Sequence, residues 1–120
     1  MKRTEILQNN GKTTFYMDFS GLKNENDIAE LIEEGKLFIR TQPPKSIFTL
    51  SNVDDMHFNI PIKDLFTEFI KGNSTYVKAG AVIGVSGLIQ IVLNGIMKVT
   101  GRNFRSFGDI ESAKNWLNSH

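Results

Sequence analysis

The alternation of apolar and polar residues predicts a β-hairpin in the first part of the chain. Residues 4–9 and 13–19 are rich in strand-forming residues and flank the sequence Asn-Asn-Gly-Lys at 9–12. Asn-Gly between two such runs favours a primed turn, because both residues tolerate a positive φ. Three apolar residues of the second run recur with a period of two and should share one face: Phe15, Met17 and Phe19.

After this hairpin, the apolar spacing predicts helices that alternate with strands. Residues 25–41 place apolar side chains on one helical face, with acidic residues early and basic residues late, as the helix dipole favours. The run 46–53 predicts a buried central strand. Asn59 and Pro61 predict the start of a second helix that ends at Gly72. That helix should turn five residues inward: Ile62, Leu65, Phe66, Phe69 and Ile70.

Residues 79–97 contain no charged side chain, and their interpretation decides the rest of the fold. Nineteen uncharged residues approach the length of a membrane span, but four glycines and three polar residues divide the stretch. We interpret it as a buried strand over 81–85 and a helix over 86–100, joined at Ser86 and Gly87. The helix should face inward with five residues: Leu88, Ile91, Val92, Ile96 and Val99.

The last part of the chain predicts a strand over 103–107 and a helix capped by Asp109. The expected order is therefore β, β, α, β, α, β, α, β, α. Strict alternation after the first strand predicts one α/β domain over residues 1–120. Its five-stranded sheet should be mostly parallel, with the first strand antiparallel at or near an edge.

Four segments carry a resemblance to a known family: YMDFSGL at 16–22, AVIGVSGL at 81–88, TGR at 100–102 and FGDIESAKNWL at 107–117. In these segments and in their order, the chain resembles STAS domains. It is most similar to the stand-alone SpoIIAA-like branch, which is related to CRAL-TRIO-type lipid-binding domains. The resemblance implies a STAS/SpoIIAA-like fold over almost the whole chain. It also implies a non-enzymatic module that binds proteins, nucleotides or lipophilic ligands.

The resemblance also locates a regulatory serine that this chain lacks. In the anti-sigma-factor antagonists of the family, the switch serine lies in the turn after the strand equivalent to 47–53. The corresponding turn here, 54–61, has acidic residues but neither Ser nor Thr. Phosphorylation at that turn is therefore chemically impossible, which argues against a kinase-regulated sigma-factor antagonist.

The sequence places a candidate ligand site at the rim where the parallel strands end and the helices begin. A small polar or anionic ligand would be centred on residues 84–87. The candidate binding residues are Ser20, Ser51, Asn52, Asp54, Gly84, Ser86 and Gly87. The alternative is that the polar residues only cap helices and that the glycines only form turns.

Three basic residues follow the neutral helix: Lys98, Arg102 and Arg105. They suit a helix C-terminus, or a contact with anionic lipid headgroups. Residues 73–120 carry five basic and two acidic side chains, against nine and eleven in residues 1–72. This mild bias supports an alternative function, in which a peripheral membrane or lipophilic-ligand-binding protein uses the 86–100 helix.

Composition and motif spacing argue against several other classes of function. The chain has no Cys, which excludes disulfides, thiolate metal sites and a Cys nucleophile. A net charge of +1 and core-facing Phe positions argue against nucleic-acid binding. No cofactor or metal is expected, because the acidic loop of Asp54, Asp55 and His57 should be solvated. Ser86 fails the G-x-S-x-G hydrolase pattern because residue 88 is Leu, so a small enzyme ranks third.

We therefore predict a non-enzymatic, regulatory binding module with an unknown protein partner or a small or lipophilic ligand. The start of the chain, Met1-Lys2-Arg3, is not followed by an apolar run, so we expect no secretory signal. The expected location is the cytoplasm, with peripheral contact at the inner membrane surface as the alternative. An apolar helix face or the sheet edge would also allow a homodimer.

Overall fold

Strands and helices alternate along the chain in the predicted order. The computed structural model describes residues 2–100 and 104–120, with only the backbone at 99 and 100. Its strands are β1 (Thr4–Asn9), β2 (Lys12–Asp18), β3 (Ile47–Asn52), β4 (Val77–Ile83) and β5 (Phe104–Phe107). Its helices are α1 (Glu25–Ile39), α2 (Ile60–Asn73), α3 (Gly87–Thr100) and α4 (Ile110–Asn118).

The strands form one sheet in the spatial order β1-β2-β3-β4-β5. β1 pairs antiparallel with β2, and every other neighbouring pair is parallel. Each parallel pair is joined by a crossover helix, as such connections require. The predicted fold class is therefore confirmed: α/β, mostly parallel, with the antiparallel first strand at an edge.

The β1–β2 hairpin turns at Asn10 and Gly11, as the sequence predicts. Their φ angles are 56° and 80°, and positive values at both positions define a type I′ turn. The turn fixes the register, which pairs Ile6 with Phe15. One further backbone bond runs from the Asp18 N–H to the Arg3 carbonyl (2.8 Å) and extends this ladder.

Different helices cover the two faces of the sheet. The larger core lies under α1, α2 and α3 and buries Phe15, Met17 and Phe19 together, as predicted. The opposite face packs against α4. Its buried residues are Phe48, Leu50, Ala79, Ala81, Ala113 and Leu117. A site between the sheet and the first three helices is thus separate from the surface under α4.

The helix starts and ends follow local hydrogen bonding. Asn59 caps α2 by accepting the Ile62 N–H (2.9 Å), and Asp109 caps α4 by accepting the Ser112 N–H (2.8 Å), so both predicted caps are confirmed. α1 runs through Gly35 and ends at Ile39, two residues before the predicted end. Gly35 belongs inside the helix because a Cβ there would lie 2.9 Å from Phe69 Cζ, where α1 and α2 approach closely.

The predicted bounds of β4 are wrong. The strand covers Val77–Ile83 instead of 81–85. Its first half alternates, because the exposed Lys78 stands between the buried Val77 and Ala79. That charge ends the neutral stretch, so a search for uncharged residues misses the start of the strand.

The predicted inner face of α3 is also partly wrong. Leu88 and Ile91 point outward and are 62% and 70% exposed. The buried residues are Leu93 and the correctly predicted Ile96, with Val92 half-buried. The side chain of Val99 lies outside the described residues. Apolar residues occur all around this helix, so their spacing does not select one face.

The neutral stretch divides into a strand and a helix, as predicted. Its helical part, α3, has 14 residues and is therefore about 21 Å long. The hydrocarbon core of a bilayer is about 30 Å thick. Within residues 2–100 and 104–120, the structure has no helix with the length and apolarity needed to cross a membrane.

An ion-pair cluster joins α1 to α2 and should give the protein an acid-sensitive contact. Lys36 Nζ lies 2.8 Å from Glu68 Oε2, and Arg40 Nη2 lies 3.7 Å from Glu68 Oε1. The hydrogen bond from Lys36 lowers the pKa of Glu68 below its ordinary value of 4.5. The stabilisation is therefore present above that ordinary value and is lost as the pH falls through the lowered pKa.

We expect Glu68→Gln to lower the free energy of unfolding at neutral pH by less than about 1 kcal/mol, because the Glu68 side chain is 58% exposed. The difference from the unchanged protein should shrink as the pH falls below the lowered pKa of Glu68. Urea unfolding across this acid range measures it. A difference that stays constant at acid pH would show that the ion pair does not contribute.

Candidate functional site

Three loops meet at the carboxyl-end rim of the sheet, and backbone hydrogen bonds join them. The Phe19 N–H donates to the Asn52 carbonyl (2.8 Å), and the Gly21 N–H donates to the Asp54 carbonyl (2.9 Å). The Val53 N–H donates to the carbonyl of Ile83 at the end of β4 (3.0 Å). The predicted rim thus exists as one continuous surface formed by the ends of β2, β3 and β4.

Several polar groups at this rim hold the turns. The Ser20 N–H donates to Asp18 Oδ1 (2.9 Å), and the Asp54 N–H donates to Asn52 Oδ1 (3.0 Å). The Ser20 carbonyl accepts a hydrogen bond from Arg3 Nη1 (2.8 Å). The side chain of Asn52 and the backbone groups of Ser20 and Asp54 are therefore already used to hold turns. In this part of the rim, polar groups have the structural role that needs no ligand.

Gly84 brings the loop after β4 against the loop after β3. Its φ is +78°, and a Cβ at this position would lie 2.6 Å from the backbone nitrogen of Asp54. No other residue type fits that approach without moving the backbone. Gly84 thus belongs to the architecture of the rim.

The remaining rim candidates differ in exposure. Ser86 and Gly87 are exposed at the start of α3, where the Ser86 carbonyl accepts the Gln90 N–H (2.9 Å). Ser51 is only 8% exposed and lines a cavity below the rim instead of the open surface. The structure therefore leaves Ser86 and Gly87 accessible from the rim and separates Ser51 from them.

The basic candidates do not form one patch in the part of the chain that the structure describes. Lys98 is exposed near the far end of α3, and Arg105 lies on the opposite face of the sheet. There its guanidinium carbon stands 5.4 Å from the ring centroid of Phe107, which belongs to the core under α4. Arg102 lies outside the described residues.

A cavity of about 60 Å³ lies below the rim, between the sheet and helices α2 and α3. Its floor includes Met17, Ser51 and Val82, and Phe69 and Val92 stand in its walls. Its lining is mostly apolar, and the polar side chains in it are Thr49, Ser51 and Asn73. The apolar spacing does not predict this cavity, because apolar residues occur all around α3 and packing decides which of them face α2.

Exposed apolar residues lie in the first turns of the two helices that line this cavity, α2 and α3. Ile60 begins α2 and is 71% exposed, and Leu88 and Ile91 occupy the first turns of α3. Their chain neighbours Phe58 and Ile89 line the cavity. We call Ile60, Leu88 and Ile91 the apolar collar. Large apolar side chains exposed at the starts of two neighbouring helices suit contact with another apolar phase.

Metal-ligating side chains do not cluster in the described ranges. No group of three His, Asp or Glu side chains there has the spacing to hold a metal ion. Asp55 Oδ1 accepts a hydrogen bond from Lys23 (2.9 Å), and His57 Nε2 lies 3.4 Å from Asn59 Nδ2. His120 packs edge-on against Trp116, at the end of α4 that is furthest from the rim.

Comparison with known proteins supports the fold. No protein-family model matches the chain. A similar solved structure is the crystal structure of a protein from Shewanella loihica, described as an uncharacterised protein of the DUF3478 family with a SpoIIAA-like fold. The two share 20% sequence identity and superpose with a TM-score of 0.60 over 95% of this chain and 90% of that one. The chain therefore has the SpoIIAA-like, STAS-type fold that its sequence segments resemble.

Proposed function

We propose that this chain is a non-catalytic binding module that takes the apolar part of a lipophilic ligand into the cavity between the sheet, α2 and α3. The observation that carries the proposal is the position of the apolar collar beside an apolar cavity. The apolar lining of the cavity reaches the end of the sheet at which the exposed apolar side chains of the collar lie. Such an arrangement suits a ligand that passes from an apolar phase into the protein.

The chemistry of the cavity selects the class of ligand. Apolar cavities stay dry and take apolar guests, because water there lacks hydrogen-bond partners. The side chains of Val82, Val92 and Leu93 offer such a guest no polar atom. Thr49 and Ser51 lie on the floor, where they can meet a single polar group. The cavity thus favours an alkyl or isoprenoid segment over a charged metabolite.

The volume requires that the site opens when it is filled. A cavity of about 60 Å³ is smaller than the ~150 Å³ that takes up benzene in an engineered protein. α3 is the wall most able to move, since Gly95 in its interior lowers its helix propensity by about 1 kcal/mol relative to alanine. A Cβ at Gly87 or Gly95 would touch nothing within 4 Å, so packing does not require either glycine.

The collar provides a route to the ligand. Side chains as exposed as Leu88 and Ile91 each gain about 1.5–3 kcal/mol when an apolar phase covers them fully. Lys98 lies about 15 Å from Leu88 along α3 and Arg105 lies on the other sheet face, so neither of the two described basic candidates stands beside the collar. We therefore expect collar-dependent contact with a bilayer, with a weak dependence on salt. The polar head of the ligand then lies at the rim near Ser86.

Two helical residues give a matched test. Val92→Phe enlarges a side chain that lines the cavity, whereas Leu37→Phe introduces the same ring at an exposed residue of α1 that belongs neither to the cavity nor to the collar. We expect Val92→Phe to weaken the binding of a fluorescent polyene fatty acid at least about tenfold and Leu37→Phe to leave it nearly unchanged. Circular dichroism and urea unfolding confirm that both variants fold, since overpacking costs only about 1–3 kcal/mol.

The same experiment can contradict the proposal. If the unchanged protein does not bind the fatty acid, or if both variants bind it equally well, the cavity is not the site. Sedimentation with neutral phosphatidylcholine vesicles tests the collar separately. Leu88→Ser with Ile91→Ser should abolish co-sedimentation, and its persistence would exclude the collar as the membrane contact.

A further inference from the structure

We propose that the free edge of β1 and the groove beside it bind a basic, extended segment of another protein, which adds to the sheet as a sixth strand. This surface lies at the β1 edge of the sheet, away from the cavity under α2 and α3. The proposal is independent of the lipophilic ligand and rests on the edge strand, the groove and their charge.

The edge of β1 offers unpaired backbone groups. Asn9 and Lys12 flank the two-residue turn at one end of the antiparallel ladder, and the Asp18 N–H donates to the Arg3 carbonyl at the other end. Hydrogen-bonded pairs alternate along such a ladder, so the odd-numbered residues of β1 bond to β2. The even-numbered residues direct their N–H and C=O groups outward, away from β2. These are Thr4, Ile6 and Gln8, of which Ile6 and Gln8 are exposed and Thr4 is buried. Among the described strands, none lies on that side of β1.

A groove of about 830 Å³ runs beside this edge. Phe15 and Phe38 line it, stacked with their ring centroids 4.6 Å apart, and Ile6 is 50% exposed next to them. A strand added to β1 directs every second side chain to this face of the sheet. The groove can therefore receive apolar side chains from alternate positions of the added segment, while the backbone supplies hydrogen bonds.

Charge selects the chemistry of that segment. Glu34 lines the groove from α1, and Glu30 stands one helical turn before it on the same side. Both are exposed, and no ion pair of either is found in the described structure. Lys2 also lines the groove, while Arg3 forms an ion pair in which its Nη1 lies 4.0 Å from Asp18 Oδ1. The wall formed by α1 is thus acidic and favours lysine or arginine in the partner.

The same charges disfavour a second copy of this chain at β1. Two antiparallel β1 strands would be related by a twofold axis perpendicular to the sheet, so α1 of both copies would lie on one face. Glu30 and Glu34 would then face their own counterparts across the groove. Like charges that face each other across an interface oppose association, whereas a basic segment would neutralise Glu30 and Glu34.

The test uses the six-residue peptide Lys-Thr-Val-Thr-Lys-Thr, which matches the length of β1 and places both lysines and the valine on one face of the added strand. Its binding to the full chain is followed by NMR chemical-shift titration at low salt. We expect the largest shifts at the amides of Ile6 and Gln8. We also expect at least about a tenfold loss of affinity in the double variant Glu30→Lys, Glu34→Lys. The double variant Glu33→Lys, Glu111→Lys carries the same change in net charge away from the groove and should bind normally.

A backbone variant tests strand addition itself. Ile6→Pro removes an outward N–H that β2 does not use, and proline is tolerated at such edge positions. It should abolish peptide binding at unchanged net charge. If it does not fold, the two charge variants still decide the question.

Three outcomes would overturn the proposal. The first is the absence of binding at millimolar peptide. The second is equal affinity of both charge variants, or equal binding of the same peptide with glutamate in place of both lysines. The third is a dimer of this chain, detected by sedimentation, that Ile6→Pro dissociates, since a second copy would then occupy the edge.

Discussion

Gly84→Ala is expected to lower the free energy of unfolding by about 3 kcal/mol. A left-handed backbone costs a residue with a Cβ about 1–2 kcal/mol. A further cost of about 1–3 kcal/mol comes from the new Cβ, 2.6 Å from the backbone nitrogen of Asp54. Urea unfolding measures the change. Because Asp54 would have to move, the amides of the loop after β3 should also shift in NMR spectra.

Gly87 provides the matched control for this prediction. It lies three residues further on and has no positive φ, and a Cβ there would touch nothing within 4 Å. Gly87→Ala should therefore change stability by less than about 0.5 kcal/mol, as ordinary surface substitutions do. Equal losses in the two variants would show that the rim does not depend on the close approach at Gly84.

Phe69→Ala should destabilise the protein by about 4 kcal/mol, within the range for removing a buried aromatic ring. Phe69 is 3% exposed, lines the cavity and stands against Gly35 of α1. Its removal enlarges an apolar space that is already present. The larger cavity should take up benzene, as dry apolar cavities of that kind do. Thermal unfolding with and without benzene measures both effects.

Phe107→Ala separates cavity binding from simple loss of packing. Phe107 is half-buried under α4, with its ring centroid 5.5 Å from that of Trp116, on the other face of the sheet. The variant should lose stability but gain no benzene-dependent rise in its unfolding temperature. A benzene response of equal size in both variants would contradict a specific cavity between the sheet and α2.

Much of the fold follows from local signals in the sequence. Asn10 and Gly11 specify a turn that only a hairpin uses, and Asn59 specifies where α2 begins. Both signals act through hydrogen bonds or φ angles of a few adjacent residues, so no distant contact is needed to recognise them. The order of strands and helices then leaves few sheet topologies.

The face of α3 could not be predicted in this way. Apolar residues stand on the inside at Leu93 and Ile96, and also on the outside at Leu88 and Ile91. A hydrophobic pattern marks a buried face only where the other face is polar. Tertiary packing decides the rotation of this helix, and the apolar exterior that results is itself the main pointer to function.

The sequence predicts where the strand ends meet, but not what the side chains do there. Parallel strands bring Ser20, Asn52 and Gly84 to one rim, as topology requires. The sequence does not show that Asn52 completes a turn, or that Ser51 points into a space beneath the rim. Those roles depend on side-chain directions and on a cavity that exists only after α2 and α3 pack.

The position of α4 has a consequence for how this protein is made. Of the described helices, α4 alone covers its face of the sheet, and it is the last one to be synthesised. Asn9 and Lys12 of the first hairpin hydrogen-bond to carbonyls of Lys114 and Asn118, so the earliest turn gains these contacts from the latest of the described helices. Until α4 has emerged from the ribosome, the nascent chain exposes the apolar surface of Phe48 and Leu50 to water. General chaperones that hold exposed strands should therefore engage the chain during its synthesis and leave it once α4 has packed.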